Sequence, residues 1–471
     1  MPKNILIFSD GTGQIGGMRP DQRLSNIYKM FRAMRPGPSS PIKPSEQVAF
    51  YDPGLGAGET NGITIRRIRN LLEASVGTGI DDNVIDCYAA IISCYKLGDQ
   101  ICLFGFSRGA YTVRSVTNVL NLCGIPTRMP DGGAVPIHGP KLRKVASDAV
   151  KYVYNHGAGH DRAKYEDERE EKARRFREKY GSQGIGADGE AQGNVQPTFI
   201  GVFDTVAALG NRYVSIGVFS VTIGLFCLWI ASFRFTPWWI TVPLTALVLS
   251  AAYWVIVLVK GQFKYFYKDP SKKPNWWNLL EWPSIWRSGH FAWWNKKYYD
   301  RYLDHQVRFA RHALSIDENR KSFPRVGWGN SGDYERNKDL KPEWMKQVWF
   351  AGNHSDIGGS YLEAESRLSD ISLSWMLEEL KEALPSIQIR DNLVVTSPDP
   401  LGLQHDQVVS TKQRWKIWTW RTEYRDAGES SELHPSVIER LSAESVPILD
   451  EMKPYRPNAL SKHEVMKSLD L

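Results

Sequence analysis

A chain of 471 residues, 42% hydrophobic and 24% charged, has the balance of a globular protein and is long enough for one large domain with insertions or for two. Its net charge of +7 suits an anionic membrane surface or nucleic acid, but no basic helix, finger or RNA-binding signature appears, which excludes nucleic acid as a partner. The five cysteines (Cys87, Cys94, Cys102, Cys123, Cys227) form no C-x-x-C pair and read as small apolar residues of a reducing compartment.

Met1-Pro2-Lys3-Asn4 runs straight into an apolar strand, Ile5–Phe8, leaving no room for a signal peptide, so the chain is expected to start in the cytoplasm. That strand ends in Ser9-Asp10-Gly11-Thr12-Gly13. The spacing then predicts an amphipathic helix over Asn26–Met34, a strand over Val48–Tyr51 and a helix over Asp81–Tyr95. Gln100–Phe104 is a further buried strand, followed by Gly105-Phe106-Ser107-Arg108-Gly109 and a helix over Ala110–Leu122. A serine at the tip of a strand-to-helix turn, with glycine two before and two after it, is the pattern of a nucleophile elbow. Only small residues avoid a clash at the flanking places, here Gly105 and Gly109. Strands apolar on both faces belong in a parallel sheet covered by helices.

Arg162–Lys179 is dense in both charge signs and predicts a solvated helix within an insertion of about 140–193, whose last part, Gly181–Gly193, reads as a Gly-rich loop. Thr198–Phe203 returns as a core strand ending at Asp204. Two uncharged stretches follow, Val214–Phe233 and Trp238–Val259, each about 20 residues and each long enough for a bilayer core of about 30 Å. The short Arg234-Phe235-Thr236-Pro237 link predicts a transmembrane hairpin, with a buried hairpin of a soluble core as the alternative. Lys260, Lys264, Lys268, Lys272 and Lys273 after the second span place both hairpin ends on the cytoplasmic side. Trp276, Trp277, Trp282, Trp286, Trp293 and Trp294 then alternate with basic residues, as in a membrane-interface segment. Beyond residue 300 the pattern predicts a helix over Gln306–Ile316, a strand over Gln347–Ala351 running into Gly352-Asn353-His354-Ser355-Asp356, a helix over Ser369–Leu384, and a polar tail with little core of its own.

Ser107, Asp204 and His354 all follow apolar strands, in the Ser…Asp…His order of α/β hydrolases. A serine activated by a histidine, itself oriented by an acid, gives ester hydrolysis through an acyl-enzyme. The oxyanion would be received by backbone N–H groups of Arg108 and of the Gly11-Thr12 loop. Asp10 and Asp356 are supporting residues: Asp10 braces its loop, and Asp356, two residues after His354, either holds its loop or competes as the acid. The expected fold is α/β: an α/β-hydrolase-like, mostly parallel sheet with helices on both faces, interrupted by the two-helix transmembrane hairpin. Residues 1–211 and 301–471 are its two parts, 212–260 the hairpin and 261–300 the basic, aromatic interface segment.

The ordered set Asp10-Gly11-Thr12, Tyr51-Asp52-Pro53-Gly54-Leu55-Gly56, Gly98-Asp99-Gln100-Ile101, Gly105-Phe106-Ser107-Arg108-Gly109-Ala110-Tyr111, Val202-Phe203-Asp204-Thr205-Val206, Ala310-Arg311-His312-Ala313-Leu314 and Gly352–Gly359 resembles an uncharacterised α/β-hydrolase domain family. That family includes the catalytic domain of type VI secretion phospholipase effectors. His434-Pro435-Ser436-Val437 and Tyr455-Arg456-Pro457 resemble its closing segment. The resemblance implies a Ser-Asp-His lipase acting on glycerophospholipid through Ser107, Asp204 and His354, and an immunity or secretion partner. Gly13-Gln14 departs from the Trp-Asn pair of many members, and the hairpin stands in place of the effectors' large membrane-docking region.

The mechanism calls for no cofactor and no metal; membrane phospholipid serves as substrate and anchor. Two other readings use the same residues: a metal centre for phosphoester hydrolysis built from Asp10, Asp204, Asn353, His354 and Asp356, and an inert scaffold of hydrolase fold.

Overall fold

The computed structural model describes residues 2–14, 16–17, 23–38, 40–54, 78–186, 188–206, 212–292, 303, 306–329, 335, 339, 343–415 and 419–469. Leu55, Gly56, Trp293 and Trp294 lie outside the described residues.

Six apolar runs form one sheet: β1 (Asn4–Ser9), β2 (Gln47–Asp52), β3 (Gln100–Phe106), β4 (Phe199–Phe203), β5 (Phe309–Ser315) and β6 (Met345–Phe350). Their spatial order is β6-β5-β4-β3-β1-β2, and every pairing is parallel. The chain winds outward in opposite directions from β1 and β3, so the loops leaving these two neighbours part at the carboxyl edge of the sheet. Side chains of β1 and β3 are buried on both faces, as a sheet covered on both sides requires.

One face is covered by α1 (Asn26–Met34) and a later helix, Arg367–Ala383, which bring Ile27, Met30, Leu373, Met376 and Leu380 onto Leu6, Phe104 and Phe199. The other is covered by α2 (Thr78–Cys94) and α3 (Arg108–Cys123), whose Val84, Tyr88, Ile91, Val113 and Val116 meet Ile5, Ile101 and Leu103. Ser25 starts α1 as an N-cap, its hydroxyl accepting the Tyr28 N–H.

Four expectations change. Gln306–Ile316 is not helical: Phe309–Ser315 is β5, buried along its whole length. Its Arg311 and His312 mimic a polar helix face, but Arg311 is neutralised by Glu379 across 2.5 Å and His312 Nδ1 meets Gln347 Oε1 at 3.3 Å. The charged helix, Glu166–Tyr180, is solvated on one side only; Ala173, Phe176, Arg177 and Tyr180 are buried. The Gly-rich stretch holds a short hairpin, Gln183–Ile185 with Ala191–Gly193. The tail builds a third core, in which Val437, Leu441, Val446, Tyr455 and Leu460 pack on Leu314, Ile316 and Trp349. Its helix Pro435–Ser442 has the i, i+4 pair Val437 and Leu441 on one face, and β5 and β6 complete their burial.

Two helices, Arg212–Phe235 and Trp238–Gln262, follow β4 as an antiparallel pair, tied by Trp229 Nε1–H donating to Thr245 Oγ1 at 2.7 Å. Trp238–Gln262 is long and apolar enough to cross a membrane; among the described residues of its partner the apolar stretch is Ser220–Phe235. Val221, Ile223, Leu228, Phe233, Val242, Leu247, Leu249 and Tyr253 are all exposed on the pair.

Candidate active site

Ser107 stands at the end of β3, where the chain turns into α3. Its backbone has φ 59° and ψ −121°, a region L-residues avoid and which costs on the order of 1–3 kcal/mol. The turn closes this tightly because its flanks are glycine: a Cβ on Gly109 would lie 2.1 Å from the Ser9 carbonyl oxygen, and one on Gly105 2.6 Å from the Ala110 backbone. Ser107 N–H donates to the Phe203 carbonyl at 3.1 Å, so the serine sits beside the end of β4.

Asp204 follows β4, also in the left-handed region at φ 38°. Its carboxylate is fully buried and four donors converge on it. Oδ2 lies 2.5 Å from His354 Nδ1. Oδ1 accepts from the Ser315 N–H at 3.1 Å, and Arg425 spans both oxygens, Nη1 to Oδ1 at 2.5 Å and Nη2 to Oδ2 at 3.1 Å. Burial alone would raise its pKa, but the Arg425 charge and the His354 hydrogen bond together hold it well below the usual carboxylate range.

His354 opens a single helical turn, His354–Gly358, after β6. Asn353 caps that turn through the N–H groups of Ser355 and Asp356, while the Asp356 carboxylate accepts the Asn353 N–H at 3.0 Å, a capping box. The His354 ring lies between Phe106 and Phe323, with centroids 4.7 and 5.2 Å away, and Phe106 adjoins Ser107 in the chain. His354 Nε2 has no hydrogen-bond partner among the described residues. With Nδ1 occupied by a carboxylate, that nitrogen is the one left to exchange a proton.

The supporting residues have other duties. Asp10 takes Ser25 Oγ–H at 2.5 Å, Tyr51 O–H at 2.7 Å and the Gly11 N–H at 2.7 Å, so it braces the loop after β1. Burial pushes its carboxyl up to about 6 despite those donors. Because the Gly11 N–H is spent on Asp10, Thr12 and Arg108 remain as candidate oxyanion donors, Arg108 in the first turn of α3, where backbone N–H groups lack helical partners. Gly11 itself lies against the elbow: a Cβ there would be 2.8 Å from the Phe106 ring. Asp356 is committed to the Asn353 N–H and to His405, whose Nδ1 is 2.8 Å away. Of the five oxygen and nitrogen donors considered for a metal, Asp204 and His354 meet directly, while Asp10 and Asp356 are turned to the partners just named.

Sequence reasoning missed Arg425 and Glu318. Arg425 also donates to the Ser315 and Phe323 carbonyls at 3.0 and 3.1 Å. Glu318 accepts the His354 N–H at 3.3 Å while Arg320 grips its carboxylate at 2.7 and 2.8 Å. Arg425 lies outside every motif, between Tyr424 and Asp426 in an irregular stretch, and only the third core brings it to the sheet edge.

Residues 3–229 and 276–379 match the family described as T6SS, phospholipase effector Tle1-like, catalytic domain. The uncharacterized protein YEL023C of Saccharomyces cerevisiae is 30% identical over 130 residues, 26% of this chain and 18% of its own length. A crystal structure of an uncharacterized protein from Pseudomonas aeruginosa aligns with 84% of this chain and 48% of that one, at 14% identity and a TM-score of 0.34. The chain thus spans about a fifth of the curated relative it matches and about half of the solved one. With the family match covering both parts of the sheet and all three strand-end residues, the chain belongs to the family described as the Tle1-like phospholipase effector catalytic domain.

Proposed function

We propose that the protein is a membrane-anchored serine phospholipase of α/β-hydrolase type. His354 Nε2 takes the Ser107 hydroxyl proton as Oγ attacks an ester carbonyl of a glycerophospholipid. Asp204 accepts the Nδ1–H and stabilises the imidazolium, and the N–H groups of Arg108 and Thr12 receive the oxyanion. The proton then passes to the leaving alcohol, and water, activated by the same imidazole, releases the fatty acid. The observation that supports this best is the 2.5 Å contact of His354 Nδ1 with a fully buried Asp204, at the strand end next to the strained Ser107 turn.

The hairpin supports a lipid substrate by its position, since Arg212 follows closely on Asp204 in the chain. We read both helices as membrane-inserted, with the catalytic parts on the cytoplasmic side where the lysines cluster. The exposed Trp277, Leu279, Leu280, Trp282 and Trp286 beside Lys268, Lys272 and Lys273 suit the headgroup zone.

A fluorophosphonate probe tests the chemistry. The adduct is expected on Ser107 by peptide mapping and absent from Ser107→Ala; wild-type protein left unlabelled, or labelled elsewhere, would overturn the serine mechanism.

A further inference from the structure

A second cluster of chemically capable side chains lies in the charged insertion. His156 belongs to the 3₁₀ turn Tyr154–Gly157, Glu168 to the first turn of Glu166–Tyr180, and His290 to the strand Gly289–Phe291. That strand pairs with Phe263–Tyr265, directly after the apolar helix Trp238–Gln262. One ligand atom from each of the three residues lies within 4.8 Å of the other two.

The ring nitrogens are arranged as in a ligand set. His290 Nε2 contacts the His156 carbonyl oxygen at 2.6 Å; a carbonyl only accepts, so Nε2 carries the proton and the Nδ1 lone pair is left over. His160 is oriented the same way, with Nε2 on the Phe291 carbonyl at 2.7 Å. The His156 side chain is wholly buried; its Nε2 meets Glu168 Oε2 at 2.7 Å, and its Nδ1 has no partner. Tyr165 stacks on His290 with centroids 3.7 Å apart and holds the ring in place.

We propose that His156, Glu168 and His290 form a binding site for a transition-metal dication of the Zn2+ class, which fastens the charged insertion to the base of the hairpin. Two imidazoles and one carboxylate suit zinc or cobalt and are poor ligands for magnesium or calcium. Three protein ligands leave a fourth tetrahedral position open to water. The Glu168 carboxylate is more than one-third exposed and gives an ion a way in. Of the cations around the site, Lys264 is turned to the carbonyls of Lys151 and Gly261, Arg169 donates to Glu166, and Lys172 and Lys164 lie over the Tyr265 and Tyr165 rings.

The full chain in detergent, stripped with a chelator, is titrated with Zn2+ against a chromophoric competitor. One equivalent is expected to bind, and Glu168→Gln and His290→Ala are each expected to weaken it roughly 10–100-fold. At one fixed free Zn2+ concentration the melting temperature of the wild type should rise further than that of either variant, and Co2+ should give the intense visible bands of a tetrahedral site. No stoichiometric binding to the wild type, or equal binding by wild type and Glu168→Gln, would overturn the site. Should His290→Ala fail to fold, the half-buried Glu168→Gln still decides.

Discussion

Asp204 is where β4, β5, the His354 turn and the C-terminal core converge, and its chemistry depends on Arg425 as much as on His354. Removing the guanidinium leaves a buried carboxylate short of its strongest counter-charge, a loss of roughly 3–5 kcal/mol of stability for Arg425→Ala. Asp52 offers a titration. Burial raises its carboxyl to about 7, against donors Ser9 and Asn83, from about 3.9 in an unfolded chain. The folded state therefore binds the proton more tightly, and this contribution to stability is present at low pH and is lost as pH rises through about 7. Asp52→Asn is accordingly expected to gain stability relative to wild type between pH 4 and 8, measured by urea unfolding at each end; a constant difference would remove Asp52 as a titrating group. At Gly109 the backbone of β1 leaves no room for a methyl group, so Gly109→Ala is expected to lose roughly 1–3 kcal/mol in the same assay and to displace Ser107.

At the scale of elements, the sequence made the sheet legible where burial is uniform. β1, β3 and β4 are uninterrupted apolar runs, and the elbow glycines mark the turn that follows β3. β5 was misread because Arg311 and His312 are buried polar groups, and a period of hydrophobicity carries no information about a partner such as Glu379, which lies far along the chain. The same reason hid Arg425, whose partner Asp204 is visible as a strand-end acid while its own position depends on the tail's packing. Asp204 and His354 were legible as the residues following their strands, and the structure brings them into contact. The hairpin was legible as two apolar stretches, of which Trp238–Gln262 has the length and hydropathy of a span. A charge at its middle tests that reading: Leu249→Arg places an ion on an exposed apolar face, at roughly 2.5–3.5 kcal/mol on insertion scales. The wild type should stay with membranes after alkaline extraction and the variant should be partly released; equal retention would contradict insertion of this helix.

For the whole molecule, the parallel sheet gathers Ser107, Asp204 and His354 at one edge, and the same edge gives rise to the apolar helix pair. The proposed hydrolytic site and the apolar helix pair are therefore built from neighbouring stretches of chain, the arrangement that the proposed phospholipase would need to draw its substrate from a bilayer. The family to which the chain belongs supplies the phospholipase class, and the residues supply a mechanism for it. Release of fatty acid from phospholipid vesicles by the purified full chain, compared with Ser107→Ala, tests this most directly. Turnover by the wild type, with a loss of roughly 10⁴-fold or more in the variant, is the expected result. Equal turnover by the two proteins would contradict Ser107 as the nucleophile, and no turnover by a wild type that still labels with fluorophosphonate would contradict phospholipid as the substrate.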